Sequence, residues 1–265
     1  EITTFQGHAN AFNVTQPIDF RLGGDTVPDW NTLLNSVVAR GAIVSINHPR
    51  VPSGEICMGC GWLPKTPIDY GLIAAVEVVN GHEVETPISG IPFWHERLQQ
   101  GARLTAIGGS DTHDVTSQKN TYPLPGQIGI PTTVVYANEL SSHAITDAIR
   151  SGKVFVDTQG TADRLLELTG AIADRTVSMG DAVQAPADTR MRWNVAVKGV
   201  PGGKIEIIRD GQVLRDTPSA TISGTDHKMS FEQRSDGKRH WIRVNVRDAE
   251  GKLALIGNPI YLNWQ

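Results

Sequence analysis

The chain has 265 residues, a mass of 28.7 kDa, a net charge of −4 and a pI near 6.1. Hydrophobic residues at 39% and charged residues at 20% exclude a disordered chain, and no run of about 18 apolar residues exists to cross a membrane as a helix. The mild acidity removes the electrostatic case for nucleic acid as a partner, and two cysteines cannot build a disulfide framework.

The first 160 residues repeat one grammar of helix, glycine stop and apolar strand. Residues 29–40 have a helical pattern, with Pro28 suited to the first turn and Asp25 or Thr26 to the cap. Gly41 suits the left-handed position that ends a helix. Residues 42–46 read as a buried strand that runs into Asn47-His48-Pro49, where the proline forces extended geometry on His48. A second strand, 73–79, ends at Asn80-Gly81. Helix 91–100, Gly101 and strand 104–107 lead to Gly109-Ser110-Asp111-Thr112-His113. Helix 142–150, Gly152 and strand 153–156 complete the series. Helices alternating with apolar strands predict a parallel β/α architecture. In such folds functional groups gather at the carboxyl ends of strands, which places His48, Asn80, Asp111 and His113 on one face.

From about residue 163 the pattern changes. Short alternating runs at 195–197, 204–209, 221–222, 241–246 and 253–256 are separated by Asp210-Gly211, Asp236-Gly237 and Glu250-Gly251. The first two pairs are hairpin-type turns. This half predicts an antiparallel β-sandwich of roughly 100 residues, so the domains are expected at 1–162 and 163–265.

The chemistry-bearing motifs lie in the first half. Asp111-Thr112-His113 puts a carboxylate and an imidazole within reach of one divalent ion, a mixed oxygen and nitrogen set that Zn, Mn or Fe accepts. The competing account is a Ser-Asp helix cap beside an incidental histidine. His48, aimed at a strand end, is a ligand candidate or a hydrogen-bonded surface residue. Glu1 and His8 are ligand candidates from a strand and its following loop, weak alone and stronger with the others. Cys57 and Cys60, in a Pro- and Gly-rich loop, read as a stapling disulfide or free thiols near the site; a redox pair or half of a zinc site are the alternatives. His82, after Asn80-Gly81, is within reach of substrate or metal. Arg50 is a candidate for an anionic substrate group. Glu77, inside an apolar strand, is a candidate to orient a ligand. His95, His143, His227 and His240 read as packing or solvated residues. Trp193, Trp241 and Trp264 read as core, with carbohydrate stacking as the alternative.

The ordered motifs Glu1-x-Thr3-Thr4-x-x-Gly7-His8, Ile46-Asn47-His48-Pro49, Glu77-Val78-Val79-Asn80-Gly81 and Gly109-Ser110-Asp111-Thr112-His113 resemble the PHP superfamily (polymerase and histidinol phosphatase), closest to its carbaryl-hydrolase-like branch. Residues 129–135, 207–211 and 257–261 also resemble that branch. The resemblance implies the late portion of a distorted seven-stranded β/α barrel, followed by the β-sandwich. It implies two or three divalent transition metals, Zn, Mn or Fe. Glu1 would be a bridging carboxylate, and His8, His48, Asp111 and His113 further ligands, with Glu1, Asp111 and His113 in the catalytic step. The cluster would polarise an ester or phosphoryl oxygen and activate a water.

PHP proteins carry a His-x-His motif ahead of the Glu-x-Thr motif, and none occurs here. The chain opens on Glu1 with no initiator Met and no signal-peptide pattern. It therefore reads as a processed or truncated piece whose remaining ligands come from an upstream segment or a companion chain. The expected function is hydrolysis of a phosphoester. Hydrolysis of a carbamate or carboxylic ester is the second expectation, and a non-catalytic remnant carrying a β-sandwich binding module the third. The expected partner is a small-molecule substrate, with no nucleic acid and no membrane. A homo-oligomer is compatible with the sequence, and a secreted or periplasmic location is favoured over the cytoplasm.

Overall fold

The computed structural model describes residues 1–113, 127–215, 217 and 221–264. The chain divides into two compact units. One comprises Glu1–Pro131 and Tyr136–Arg150, the other Thr132–Val135 and Ser151–Gln265.

The first unit is built on one open sheet. Its strands β1 (Ile2–Thr4), β2 (Gly7–Phe12), β3 (Ile43–Ile46), β4 (Ala75–Asn80) and β5 (Thr105–Gly109) lie side by side in chain order. β1, β2 and β3 pair antiparallel, whereas β3, β4 and β5 pair parallel. Helix α1 (Trp30–Val38) joins β2 to β3 and helix α2 (Ile91–Gln99) joins β4 to β5. α1 buries Trp30, Leu33, Leu34 and Val37, one stripe at helical spacing. Burying each such side chain contributes about 1.5–3 kcal/mol. Asp29 caps this helix by accepting the Thr32 N–H at 2.8 Å. Pro28 therefore precedes the cap, and neither Asp25 nor Thr26 serves as one. α2 buries Trp94 and Leu98, and the Trp94 indole donates to the Leu104 carbonyl at 2.8 Å, tying the helix to the approach of β5. The glycine stops take the left-handed backbone expected of them, with φ of 77° at Gly41 and 99° at Gly101. Helix α3 (Ser142–Arg150) closes the unit.

The second unit is strand on strand. β7 (Val154–Asp157) pairs antiparallel with β6 (Thr132–Val135) and with β16 (Leu253–Gly257). β15 (His240–Arg247) joins β16, β17 (Ile260–Leu262) and β12 (Lys204–Arg209). β10 (Ala182–Val183) and β13 (Gln212–Val213) complete this eight-stranded sheet. A second sheet has the order β14 (Asp226–Arg234), β11 (Arg190–Lys198), β8 (Leu165–Ile172) and β9 (Arg175–Ser178). The alternation along β8 and β11 buries Leu166, Leu168 and Ile172 with Met191, Trp193, Val195 and Val197. Phe231 stacks on Trp193, and Trp241 and Trp264 are buried too, so these tryptophans are core residues.

The expected late portion of a seven-stranded β/α barrel is not what forms. The described residues are dominated by strands in open sheets and hold three α-helices. Two of the four pairings in the first sheet are antiparallel. The strands at 132–135 and 154–157, which a barrel extending to residue 162 would need in parallel, run antiparallel inside the eight-stranded sheet. The physical reason is that a helix, a glycine stop and an apolar run specify a strand but not its partner. Asp210-Gly211 makes a two-residue hairpin between β12 and β13 as expected. Asp236-Gly237 instead carries the chain from β14 in one sheet to β15 in the other.

Candidate metal centre

The β1–β2 hairpin sets the first part of the site. Its register pairs Thr3 with His8. Directly opposed residues share a face, and so do residues two apart on one strand, so Glu1 and His8 are diagonal neighbours. Their side chains meet, with His8 Nδ1 3.5 Å from Glu1 Oε1. β3 lies against the other side of β2, and its continuation brings Asn47 and His48 to the same place. The Asn47 amide donates to Glu1 Oε1 at 3.2 Å. His48 Nε2 stands 3.9 Å from that oxygen, and the two imidazoles meet edge to face with centroids 5.2 Å apart.

His48 departs from the extended geometry expected before proline, with φ at 28°. A side-chain-bearing residue there stores strain of about 1–3 kcal/mol and needs surroundings that hold it. Glu77 of β4 supplies one support, because its Oε2 accepts the His48 backbone N–H at 3.0 Å and the Asn80 amide at 3.2 Å. Its Oε1 lies against Gly109 of β5, where a Cβ would come within 2.3 Å. Only glycine leaves that carboxylate in place.

The Cys57–Cys60 loop supplies the other support. The two cysteines form a disulfide. The Cys60 carbonyl meets His48 Nδ1 at 3.2 Å and the Met58 carbonyl meets His8 Nε2 at 3.3 Å. A carbonyl only accepts, so each bond places the proton on that nitrogen. In a neutral ring His48 Nε2 and His8 Nδ1 are then the nitrogens left for a metal, and both face Glu1, to whose carboxylate the same nitrogens hydrogen-bond when they carry a proton. The loop seats on the hairpin at Gly59, whose φ is 80° and whose Cβ would collide with the Thr4 carbonyl and with the Phe5 Cα at 2.7 Å. His8, His48 and Cys60 offer donor atoms within 4.8 Å of one another, although Cys60 is engaged in the disulfide.

Asp111 follows β5 in a left-handed conformation, with φ at 52°, and its charge acts on both His48 and Glu77. His113 Nε2 bonds to Asp111 Oδ1 at 3.1 Å while its ring is 75% exposed. The structure thus joins Glu1, His8 and His48 directly, places Asp111 within electrostatic reach of His48 and Glu77, and hydrogen-bonds the exposed His113 to Asp111. His48 and His8 hold the Glu1 carboxyl well below the usual carboxylate range, against the opposing effect of burial. Burial pushes His48 down, but Glu1, Glu77 and Asp111 together raise it. Burial lifts the Glu77 carboxyl above its ordinary value despite His48 and Asn80.

Three carboxylates, Glu1, Glu77 and Asp111, bear on the one imidazole of His48, and the donor separations can be set against those of a metal site. An ion bound tetrahedrally by nitrogen and oxygen at 2.0–2.2 Å holds its ligand atoms about 3.3–3.6 Å apart. The Glu1–His8 and Glu1–His48 separations of 3.5 and 3.9 Å are close to that, while the set whose donor atoms all lie within 4.8 Å of one another is His8, His48 and Cys60. Two imidazoles and one carboxylate also form a set that leaves a fourth position for water.

His82 is exposed in the turn after β4. Arg50 is exposed, and its Nε donates to the Pro87 carbonyl at 3.3 Å. Among the other histidines, His143 pairs with Asp147, and His240 lies between Asp210 and Asp236. The sequence reading missed Asn47 and the Met58 and Cys60 carbonyls. Asn47 had a signal in its place beside His48 at the strand end, whereas backbone carbonyls have none. No helix among the described residues is long and apolar enough to cross a membrane. No protein-family model matches the chain, and no curated protein matches it either.

Proposed function

We propose that this chain is a metal-dependent hydrolase that turns an activated water on an ester. The observation that carries it is the convergence of the Glu1 carboxylate with His8 Nδ1 and His48 Nε2, each imidazole held from behind by a backbone carbonyl. The resemblance of these motifs to PHP-type hydrolases supports the same chemistry. A bound Zn, Mn or Fe ion would lower the pKa of a water and polarise the ester oxygen. Glu1, His8 and His48 would hold that ion, and Asp111 would add a second carboxylate as a donor for a further ion. Glu77 positions His48 through its backbone N–H. His113, exposed and bonded to Asp111, is the group that takes or gives a proton.

A phosphoester is the substrate class that the resemblance implies. A carboxylic ester or carbamate is favoured by one observation: Phe5, Ile56, Met58 and Leu63 are exposed apolar side chains on the hairpin tip and on and beside the cysteine loop, the loop whose carbonyls meet His8 and His48. Exposed apolar surface next to the site suits an apolar acyl or aryl group better than a phosphate. The disulfide supports an oxidising compartment.

The test is metal analysis together with turnover of p-nitrophenyl phosphate and p-nitrophenyl acetate. Zinc, manganese or iron should bind, and a His8→Ala, His48→Ala double variant should lose both metal and turnover. Replacing His113 by Ala should keep the metal and lower kcat by about 100-fold or more. A chain that takes up no transition ion, or an Asp111→Ala variant with unchanged turnover, would make this function wrong.

A further inference from the structure

We propose that reduction of the Cys57–Cys60 disulfide releases Cys60 as a third protein ligand beside His8 and His48, creating a His2Cys site for a thiophilic divalent ion such as zinc. This rests on the reading above that His8 and His48 hold a metal. The placement is already close, since the donor atoms of His8, His48 and Cys60 all lie within 4.8 Å of one another. All three residues are buried, Cys60 at 3% exposure and His8 and His48 at 7% and 4%. The same loop also orients both rings through Met58 and Cys60 carbonyls, so the ligand and the carbonyls that aim its partners travel together.

The two sulfurs are unequal in access, and that decides which one leaves. Cys57 is half-buried and Cys60 is buried. A small thiol from solution therefore attacks the Cys57 sulfur; the S–S bond breaks and its electron pair goes to Cys60 as thiolate. A second thiol attacks the mixed disulfide, releasing Cys57 as a thiol and the two small thiols as their disulfide. Two electrons pass in all, and the new thiolate appears on the side that faces His8 and His48. Thiolate beside imidazole selects zinc over manganese, whereas carboxylate beside imidazole takes either. The oxidised chain thus offers an oxygen-rich set through Glu1 and Asp111, and the reduced chain a sulfur-containing one.

Cobalt(II) provides the readout, because a thiolate on cobalt gives an intense near-ultraviolet charge-transfer band that carboxylate and imidazole do not. The chain is titrated with Co2+ as isolated and after reduction by a phosphine, which contributes no thiol of its own. The oxidised chain should bind cobalt without the band, and reduction should bring it out. A Cys57→Ser variant should show the band with no reductant, since Cys60 is then free, and a Cys60→Ser variant should never show it. If reduced wild type and Cys57→Ser both bind cobalt with no band, Cys60 is not a ligand; the proposal is overturned and the hydrolase reading stands. If the chain binds no cobalt in either redox state, the metal reading fails and the proposal falls with it.

Discussion

A single methyl group at residue 109 would decide whether Glu77 keeps its place. Its Cβ would lie 2.3 Å from Glu77 Oε1. A free glutamate would swing away at little cost, but Oε2 is tied to the His48 N–H and the Asn80 amide. Gly109→Ala should therefore cost about 1–3 kcal/mol, the usual range for overpacking, and should weaken zinc binding as His48 loses its support. Urea unfolding and a zinc titration measure the two effects, and an unchanged midpoint would show that the carboxylate turns freely. Replacing Glu77 by Leu leaves the His48 N–H buried without its acceptor, a loss of about 1–3 kcal/mol. Glu77→Gln keeps an acceptor oxygen and should lose less, so the order of thermal midpoints should be wild type, Gln, Leu. These residues show how far the site can be read from sequence. Glu77 was legible as an acid in an apolar strand, and Glu1, His8 and His48 as side chains in ordered motifs. The carbonyls that fix both imidazole tautomers were not, because a backbone group has no letter.

At the scale of the element, local signals were read well and their exact anchors less so. The stripe Trp30, Leu33, Leu34 and Val37 was visible as a helix, yet the cap is Asp29, three residues before Thr32, whose N–H it accepts. Asp29→Ala should cost about 1 kcal/mol, seen as a lower urea midpoint of the chain, while Asp25→Ala should leave the midpoint unchanged. Equal losses in the two variants would mean that the cap is shared. His48 is the instructive failure. Proline disfavours helical backbone before it, but the left-handed conformation at His48 is held by contacts from β4 and from the cysteine loop. Those contacts come 29 and 12 residues along the chain, so no dipeptide rule contains them. The cost of that backbone is met where the imidazole must be aimed, which is the usual place for strain at a working site.

At the scale of the whole molecule, the strand readings named the runs and missed their neighbours. β7 has the sequence of a barrel strand, apolar and preceded by a helix and a glycine, yet it pairs antiparallel with β6 and β16. Just before it, Lys153 reaches Asp181 at 2.6 Å and the Ser178 hydroxyl at 2.8 Å, joining β7 to the turn after β9. Asp181 also accepts the Ser178 N–H at 2.7 Å. Burial alone would raise the Asp181 carboxyl, but Lys153 and Ser178 outweigh it and hold it below the usual carboxylate value. A carboxyl depressed in the folded state binds fewer protons than in the unfolded chain, so its contribution is complete above its unfolded pKa and is lost as pH falls through the folded one. The side chains of Lys153 and Asp181 are 27% and 39% exposed, and solvent screening limits the pair to about 0.2–1 kcal/mol. Urea midpoints measured from pH 7 down to pH 3 should fall for the wild type and fall less for Asp181→Asn, with the two curves converging at the acidic end. Parallel curves would mean that Asp181 titrates alike in the folded and unfolded chain, and that the Lys153 contact does not anchor β7 in its sheet.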